Sequence, residues 1–142
     1  MKNTKNKKKP YSEMTFKELK VLAEKGDAEA QFKLGCQYKR GEGVRKNFRK
    51  AVEWLTLSAK QGFSTAQFNL AICFKNGDGV EQDMKKAVEL YKKAAKQGNM
   101  WAQNNLGCCY QYGEGVRKNY KKAVEWFTKA AEQGDPMRDK RT

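Results

Sequence analysis

The chain has 142 residues, 39% of them hydrophobic and 32% charged, with 30 lysines and arginines against 16 acidic residues and a net charge of +14. A chain of this length is expected to form one domain that buries about two thirds of its unfolded surface. No hydrophobic run approaches the roughly 18 residues of a membrane span, and none follows the N-terminal lysines, so we expect a cytoplasmic protein without a membrane span or secretory signal. The sequence contains no histidine, which excludes catalytic sites that pair histidine with cysteine or serine.

The N-terminal segment 1–12 is strongly basic and is predicted to be a disordered arm. Its first ten residues, MKNTKNKKKP, contain no acidic residue, and their lysines are Lys2, Lys5, Lys7, Lys8 and Lys9. Such an arm can neutralise phosphates, so nonspecific contact with nucleic acid or with an acidic partner is one hypothesis. It is also typical of a solubility tail, and because no aromatic residue interrupts the lysines, base stacking is not indicated.

Residues 13–26 are predicted to form an N-terminal capping helix. Thr15 and Glu18 have the spacing of a capping box, in which each side chain bonds the other residue's backbone, and the helix would continue to Lys25. In register with the repeats that follow, Glu18 stands where Trp54 stands in the first repeat. The helix would therefore present a polar outer face at the end of the fold.

Three copies of one glycine-rich segment follow at intervals of 36 residues. The segment GEGVRKN at 41–47 returns unchanged at 113–119, and the variant GDGVEQD lies between them at 77–83. Flanking residues repeat in the same register, which divides the chain into repeats 27–62, 63–98 and 99–134. The segment lacks the GxxxxGK[ST] pattern of a phosphate-binding loop, so we interpret it as a corner between two helices.

Each repeat has the pattern of a helical hairpin, whose two helices we term A and B. In the first repeat Ala30, Leu34 and Tyr38 fall on one face of helix A, and Gly41 has the position of a left-handed helix end. Asn47, like the Asn or Asp at its equivalent positions, stands where a short polar side chain caps helix B. A Gln-Gly pair ends helix B in every repeat, at 61–62, 97–98 and 133–134.

Apolar residues lie on more than one side of each hairpin, because alanines and bulky residues alternate along the B helices. One hairpin cannot bury two faces, so the repeats must stack. The sequence therefore predicts an all-α fold, an extended α-solenoid of three helix-turn-helix repeats plus the capping helix. Residues 135–142 begin with Asp-Pro, which is typical of a helix start, so they form either a C-terminal cap or a truncated next repeat.

The repeated pattern resembles the Sel-one-like repeat, a relative of the tetratricopeptide repeat. The shared register is Ala-Gln-x-x-Leu-Gly, then Tyr, Gly-x-Gly-Val, Lys-Ala-x-x-Trp and Ala-Ala-x-x-Gly, and it covers about residues 15–135. The resemblance implies a right-handed superhelix of helical hairpins that serves as an adaptor or scaffold for protein partners, without catalytic activity. In a cysteine-rich bacterial subgroup with penicillin-binding and weakly β-lactamase-like members, each repeat carries a disulfide. The equivalent positions here hold Ala59 with Gln67 and Ala95 with Gln103.

The cysteines of the chain are Cys36, Cys73, Cys108 and Cys109, all on predicted A helices. Cys73 and Cys109 are equivalent positions in neighbouring repeats and should lie about 8–10 Å apart, beyond the roughly 7 Å limit for a disulfide. We therefore expect reduced thiols, and we interpret Cys36 and Cys108 as apolar packing residues. Without a CxxC pair or zinc-ligand spacing, the sequence predicts no catalytic residue, metal or cofactor.

The A helices carry the predicted binding surface. Residues about 100° to 180° from the core face of each A helix would leave the hairpin and line a concave wall. They form four columns across the repeats: Glu29, Thr65 and Trp101; Lys33, Asn69 and Asn105; Gln37, Cys73 and Cys109; Arg40, Asn76 and Tyr112. Polar side chains there can pair with the backbone of an extended peptide, and the aromatic ones can hold an apolar side chain. Alternatively, Trp101 packs against the preceding repeat and the polar residues face water.

These patterns favour a non-catalytic protein-interaction module that binds a peptide or a protein on the A-helix surface. The alternative is electrostatic binding of nucleic acid or an acidic partner through the lysine-rich arm. A β-lactamase-like enzyme, similar to the cysteine-rich subgroup, is a distant third hypothesis.

Overall fold

The computed structural model describes residues 9–134, which form helices and no strand. A short 3-10 turn at Tyr11–Glu13 precedes seven α-helices. In chain order these are α1 (Phe16–Glu24), α2 (Ala28–Arg40), α3 (Phe48–Lys60), α4 (Ser64–Asn76), α5 (Met84–Lys96), α6 (Met100–Tyr112) and α7 (Tyr120–Gly134). Each helix makes its main contacts with the helices before and after it in the sequence. This confirms the predicted all-α solenoid, in which α2, α4 and α6 are the A helices and α3, α5 and α7 are the B helices.

The N-terminal helix begins at the predicted capping box. Helix α1 starts at Phe16, directly after the N-cap Thr15, and ends at Glu24, one residue before the predicted Lys25. In the capping box the Glu18 N–H donates to Thr15 Oγ1 at 3.2 Å, and the Thr15 N–H donates to Glu18 Oε1 at 2.8 Å. The turn before α1 is part of the fold, because the Tyr11 hydroxyl donates to Asp27 Oδ2 at 2.8 Å. The predicted disordered arm therefore extends too far at its C-terminal end. Its residues 1–8, and the predicted cap or partial repeat at 135–142, lie outside the described residues.

The glycine-rich segment forms the corner between helices A and B in every repeat. At its first glycine the chain turns left-handed, with a φ of 72° at Gly41, and this ends helix A as predicted. The second glycine, Gly79 in the second repeat, has a φ of 75° and lies against the start of the preceding B helix. A Cβ at Gly79 would come within 2.4 Å of the Phe48 carbonyl oxygen. The corner therefore packs consecutive repeats together as well as turning the chain.

Each B helix begins at the predicted polar cap. Side-chain oxygens of Asn47, Asp83 and Asn119 accept a hydrogen bond from the backbone N–H three residues later, at 3.0 to 3.1 Å. Helices α3 and α5 end just before their Gln-Gly pairs. Helix α7 includes its Gln-Gly pair, Gln133 and Gly134, and Gly134 is also the last described residue.

The core runs along the solenoid between the A and B helices. Leu34 and its equivalents in the other two repeats are at most 5% exposed. On the B helices, Val52 and Val88 are 8% and 2% exposed, whereas Val124 at the equivalent position of α7 is 61% exposed. The following A helix covers the first two, and no described helix follows α7. Burial in this fold thus depends on the neighbouring repeat.

Buried glutamines join each repeat to the one before it. Gln67 on α4 is 4% exposed, and its side-chain amide donates to the Ala59 carbonyl oxygen on α3 at 3.2 Å. Its side-chain oxygen accepts a hydrogen bond from Gln97 of α5 at 2.8 Å. Gln31 and Gln103 make the equivalent pair of bonds. The recurrence of Ala-Gln and Gln-Gly therefore has a physical reason, since a buried amide requires both a donor and an acceptor partner.

Candidate protein-interaction surface

The predicted surface residues lie on the three A helices, but they differ in exposure. The exposed ones are Arg40, Asn76, Trp101 and Tyr112, and the half-buried ones are Glu29, Lys33, Gln37, Thr65, Asn69 and Asn105. We term these ten residues together the A surface. Cys73 and Cys109 are only 0% and 3% exposed. The prediction is wrong for these two cysteines, which pack in the core and do not reach the surface.

The error at the cysteine column follows from helix geometry. At about 100° per residue, the side chain eight positions after Trp101 points about 80° away from it, whereas the side chain seven positions after it points only about 20° away. The residue at seven positions is Cys108, which is exposed, and the one at eight is the buried Cys109. The predicted role of Cys108 in apolar packing is therefore also wrong, while Cys36, its equivalent on α2, is buried as predicted. A search at a spacing of seven would have placed Cys108 on the surface from the sequence.

Helix α6 presents a stripe of side chains along one face. The stripe consists of Trp101, Asn105, Cys108 and Tyr112, which lie within about 40° of Trp101 around the helix axis. Trp101 is 61% exposed and Tyr112 is 63% exposed, so Trp101 is largely open and is not packed away against the preceding repeat. Large aromatic side chains left open on one face are typical of a protein-binding surface.

Two of the three asparagines of the A surface, Asn69 and Asn105, are hydrogen bonded within the protein. Asn69 Nδ2 donates to the carbonyl oxygen of Thr65, one turn earlier in α4, at 2.8 Å. Asn105 Nδ2 donates to the hydroxyl oxygen of Tyr91 on α5 at 3.3 Å. Tyr91 is 1% exposed, and burial raises its pKa to about 12. Asn105 therefore satisfies a buried hydroxyl group in addition to facing the surface.

At the N-terminal end of the A surface, three predicted residues line one cavity of about 340 Å³. Lys33, Gln37 and Arg40 are contributed by α2, and Tyr11 and Met14 of the N-terminal segment also line it. The Oε1 atom of Gln37 is buried and has no hydrogen-bond partner among the described residues. Buried acceptors normally have a partner. The Gln37 side chain thus lines the cavity with one amide oxygen that is buried and unpaired.

Of the five lysines of the predicted basic arm, the described residues include Lys9 alone. Its Nζ atom lies 3.0 Å from Glu18 Oε2, in an ion pair whose two side chains are about half exposed. The other arm lysines, Lys2, Lys5, Lys7 and Lys8, lie outside the described residues. An exposed pair of this kind contributes little to stability, but it engages the one arm lysine that the structure describes.

All four thiols are free. Burial raises the pKa of Cys36, Cys73 and Cys109, that of Cys109 to about 11. At the position where the cysteine-rich subgroup would carry a disulfide, the backbone of Ala59 and the side chain of Gln67 are joined by a hydrogen bond. A hydrogen bond between α3 and α4 thus lies where that subgroup would have a disulfide.

Residues 9–134 contain no group of three or more His, Cys, Asp or Glu side chains arranged to hold a metal ion. Within the same range, no helix is long and apolar enough to cross a membrane. The groups that the A surface offers to a ligand are amides, aromatic rings, carboxylate and hydroxyl oxygens and the charged ends of Lys33 and Arg40.

Comparison with protein families identifies the repeat. The profile described as "Sel1 repeat" matches residues 28–63, 64–99 and 102–135, which is the predicted register to within three residues. Over 41 residues the chain is 46% identical to the sel1-like repeat-containing protein L18 of Acanthamoeba polyphaga mimivirus, a stretch that covers 29% of this chain and 7% of that protein.

Solved structures share the fold along most of the chain. The protein c5321, a protective antigen of uropathogenic Escherichia coli with an SLR fold, is 42% identical with a TM-score of 0.83, covering 86% of this chain and 26% of its own. A Sel1 repeat protein from Oxalobacter formigenes is 41% identical with a TM-score of 0.75, covering 78% of this chain and 44% of its own. The cysteine-rich protein B of Helicobacter pylori is 25% identical with a TM-score of 0.67, covering 87% and 94%. The chain thus spans less than half the length of the first two of these proteins.

Proposed function

Because the chain belongs to the Sel1 repeat family, we propose that it is a non-catalytic protein-interaction module that binds a peptide or a protein segment on the A surface. Helical repeats of this kind stack into extended walls whose exposed residues vary between repeats, which suits them to act as adaptors or scaffolds. The core positions here repeat closely, whereas the A-surface positions change from repeat to repeat. That contrast supports a surface adapted to a partner.

The α6 stripe is the observation that carries this proposal. Trp101 and Tyr112 are each more than 60% exposed and lie at the two ends of one helix face. Tryptophan and tyrosine are enriched among the residues that dominate the affinity of protein interfaces, because their rings bury much area with little loss of conformational freedom. These two side chains would hold apolar groups of the ligand.

The cavity beside α2 supplies the polar part of the proposed site. The Gln37 side chain, which lines this cavity, would pair through its amide with the backbone of the ligand. Lys33 and Arg40, which line the same cavity, would bind a carboxylate or a carbonyl oxygen. A ligand that runs along the A surface would then be held at both ends of the three-repeat array.

The two other hypotheses have less support. Lys9, the described lysine of the arm, is paired with Glu18, and the enzyme hypothesis has neither a histidine base in the sequence nor the cysteine pairs of the β-lactamase-like subgroup. We also propose a cytoplasmic location, which the four free cysteines support, because thiols stay reduced in that compartment.

The proposal is tested with peptides selected from a phage-displayed random library on the immobilised full-length protein. Affinities of the selected peptides are measured by fluorescence polarisation for the parent protein and for Trp101→Ala and Tyr112→Ala. Tyr120→Ala is the matched control, since Tyr120 is 63% exposed at the start of α7, away from the A helices. We expect each A-surface substitution to weaken binding about tenfold or more and the control to change it about twofold or less. Selected peptides whose affinity depends on Tyr120 and is indifferent to Trp101 and Tyr112 would contradict the proposed site.

A further inference from the structure

Two equivalent grooves lie on the opposite, B-helix side of the solenoid. The first, of about 250 Å³, lies between α3 and α5, and the second, of about 310 Å³, lies between α5 and α7. Their lining residues are related by the 36-residue repeat: Phe74 of the first groove corresponds to Tyr110 of the second, and Lys86 corresponds to Lys122. The grooves are therefore a periodic feature of the fold, and none of the residues predicted for the A surface lines them.

The grooves are rimmed by lysines that have no carboxylate partner. Lysines at the first groove are Lys60, Lys86 and Lys93, and those at the second are Lys92, Lys96, Lys122 and Lys129. Against these seven lysines stand only Glu89 and Glu125, one in each groove. The ion pairs found in residues 9–134 are Lys9 with Glu18 and Arg40 with Glu42, both outside the grooves. The groove rims therefore carry uncompensated positive charge.

The floor of each groove is apolar. Leu70, Phe74 and Leu90 lie in the first groove, and Tyr110 and Trp126 take the place of the last two in the second. Several lysines lie over these rings: Nζ of Lys122 is 5.5 Å from the centre of the Tyr110 ring, and Nζ of Lys129 is 4.8 Å from the Trp126 ring. Each groove thus combines an apolar seat with cationic groups at its edge.

We infer that this B-helix side binds an acidic segment of a partner protein, in extended form, with apolar side chains seated in the two grooves and carboxylates against the lysines. The lysines at the groove rims favour an anionic ligand, and the apolar floors favour a ligand that also carries apolar side chains. Neighbouring B helices stand on the order of 10 Å apart, and an extended chain advances about 3.3 Å per residue. The segment would therefore carry apolar residues three positions apart, flanked by Asp or Glu.

Two other occupants fit less well. A second copy of this chain carries the same net charge of +14, so the two would repel each other. A nucleic acid would meet the lysines with its phosphates, but the grooves offer few aromatic rings for base stacking: Phe74 in the first, and Tyr110 and Trp126 in the second. The apolar floor adds nothing for phosphates, whereas it adds affinity for a peptide side chain. This inference does not depend on the A surface, because none of the A-surface residues lines either groove.

The test uses two fluorescein-labelled peptides, EELEELEE and EEAEEAEE, which have the same charge and differ only in the apolar side chain. Binding to the full-length protein is followed by fluorescence polarisation at low and at physiological salt. The groove variant replaces Lys86, Lys93, Lys122 and Lys129 by Gln. The control variant replaces Lys17, Lys25, Lys85 and Lys121 by Gln, removing the same charge at exposed positions that line neither groove. Circular dichroism verifies that both variants are folded.

We expect the leucine peptide to bind about fivefold more tightly than the alanine peptide, because leucine buries more apolar area. The groove variant should bind the leucine peptide about tenfold or more weakly, and the control variant within about twofold of the parent protein. Equal losses in the two variants, equal affinities of the two peptides, or no saturable binding up to ~1 mM would each overturn the inference. A labelled dT20 oligonucleotide that binds more tightly than the leucine peptide, with the same dependence on the groove lysines, would overturn it in favour of nucleic acid.

Discussion

Replacing Gly79 by alanine should destabilise the protein more than the same change at Gly43, although the two glycines have nearly the same φ, 75° and 72°. Both substitutions place an L-residue in the left-handed region, which costs about 1–2 kcal/mol. Only at Gly79 does the new Cβ meet backbone, since it would lie 2.4 Å from the Phe48 carbonyl oxygen, whereas at Gly43 the nearest contact is 4.0 Å from Phe16 Cβ. The overlap forces a shift between repeats, which adds about 1–3 kcal/mol.

We therefore expect a loss of about 2–5 kcal/mol for Gly79→Ala and about 1–2 kcal/mol for Gly43→Ala. Urea unfolding followed by circular dichroism and tryptophan fluorescence measures both free energies of unfolding, and thermal unfolding should show a Tm lower by about 3 °C or more for the Gly79 variant than for the Gly43 variant. Gly115→Ala provides a second case, because its Cβ would lie 2.5 Å from the Met84 carbonyl oxygen, and it should resemble Gly79→Ala. Equal losses at Gly43 and Gly79 would refute the argument that the second glycine serves close packing between repeats.

Two further predictions concern the buried glutamines and the thiols. Gln67→Leu removes two hydrogen bonds at a site that is 4% exposed and should lower the free energy of unfolding by about 1–3 kcal/mol. The control Gln82→Leu removes one exposed hydrogen bond and should lower it by about 0.5 kcal/mol or less. A smaller loss at Gln67 than at Gln82 would contradict the role of the buried glutamines in joining the repeats. In the native protein at neutral pH, a thiol reagent such as Ellman's reagent should modify Cys108 rapidly and the other three cysteines only on unfolding, because those three are buried and burial raises their pKa. Rapid modification of a second thiol, or a fast phase that persists in Cys108→Ser, would contradict the burial pattern.

The amino-acid sequence by itself predicted the repeat, the two helices of each hairpin and most of their ends. These features depend on residues close in the chain. A glycine just after a helical run adopts the left-handed conformation at Gly41, and Asn47 caps the helix that follows it. The Thr15–Glu18 capping box was predicted on the same grounds, because its bonds span three residues. Local rules of this kind need no knowledge of the neighbouring repeat.

The tertiary structure decided which side chains reach the surface. A difference of one position, and about 100° around α6, separates the exposed Cys108 from the buried Cys109. Likewise, Asn105 could be placed on the A surface from its spacing, but its bond to the buried Tyr91 of α5 depends on how two helices pack. Periodicity gives the face of a helix, whereas exposure depends on what the next helix covers.

The glycine-rich corner and the B-helix grooves also combine features that the sequence predicts locally with features that arise only from stacking of the repeats. The sequence gives two glycines per corner, and the first acts locally, but the close approach of Gly79 to Phe48 exists only because one repeat stacks on another. The lysines of the grooves are spread over α3, α5 and α7, far apart in the chain, and appear in the sequence as an overall positive charge. What the sequence alone determined is therefore the unit, through short-range helix and turn energetics, while stacking of the units, which joins residues about 36 positions apart, decided the surfaces that are available for binding.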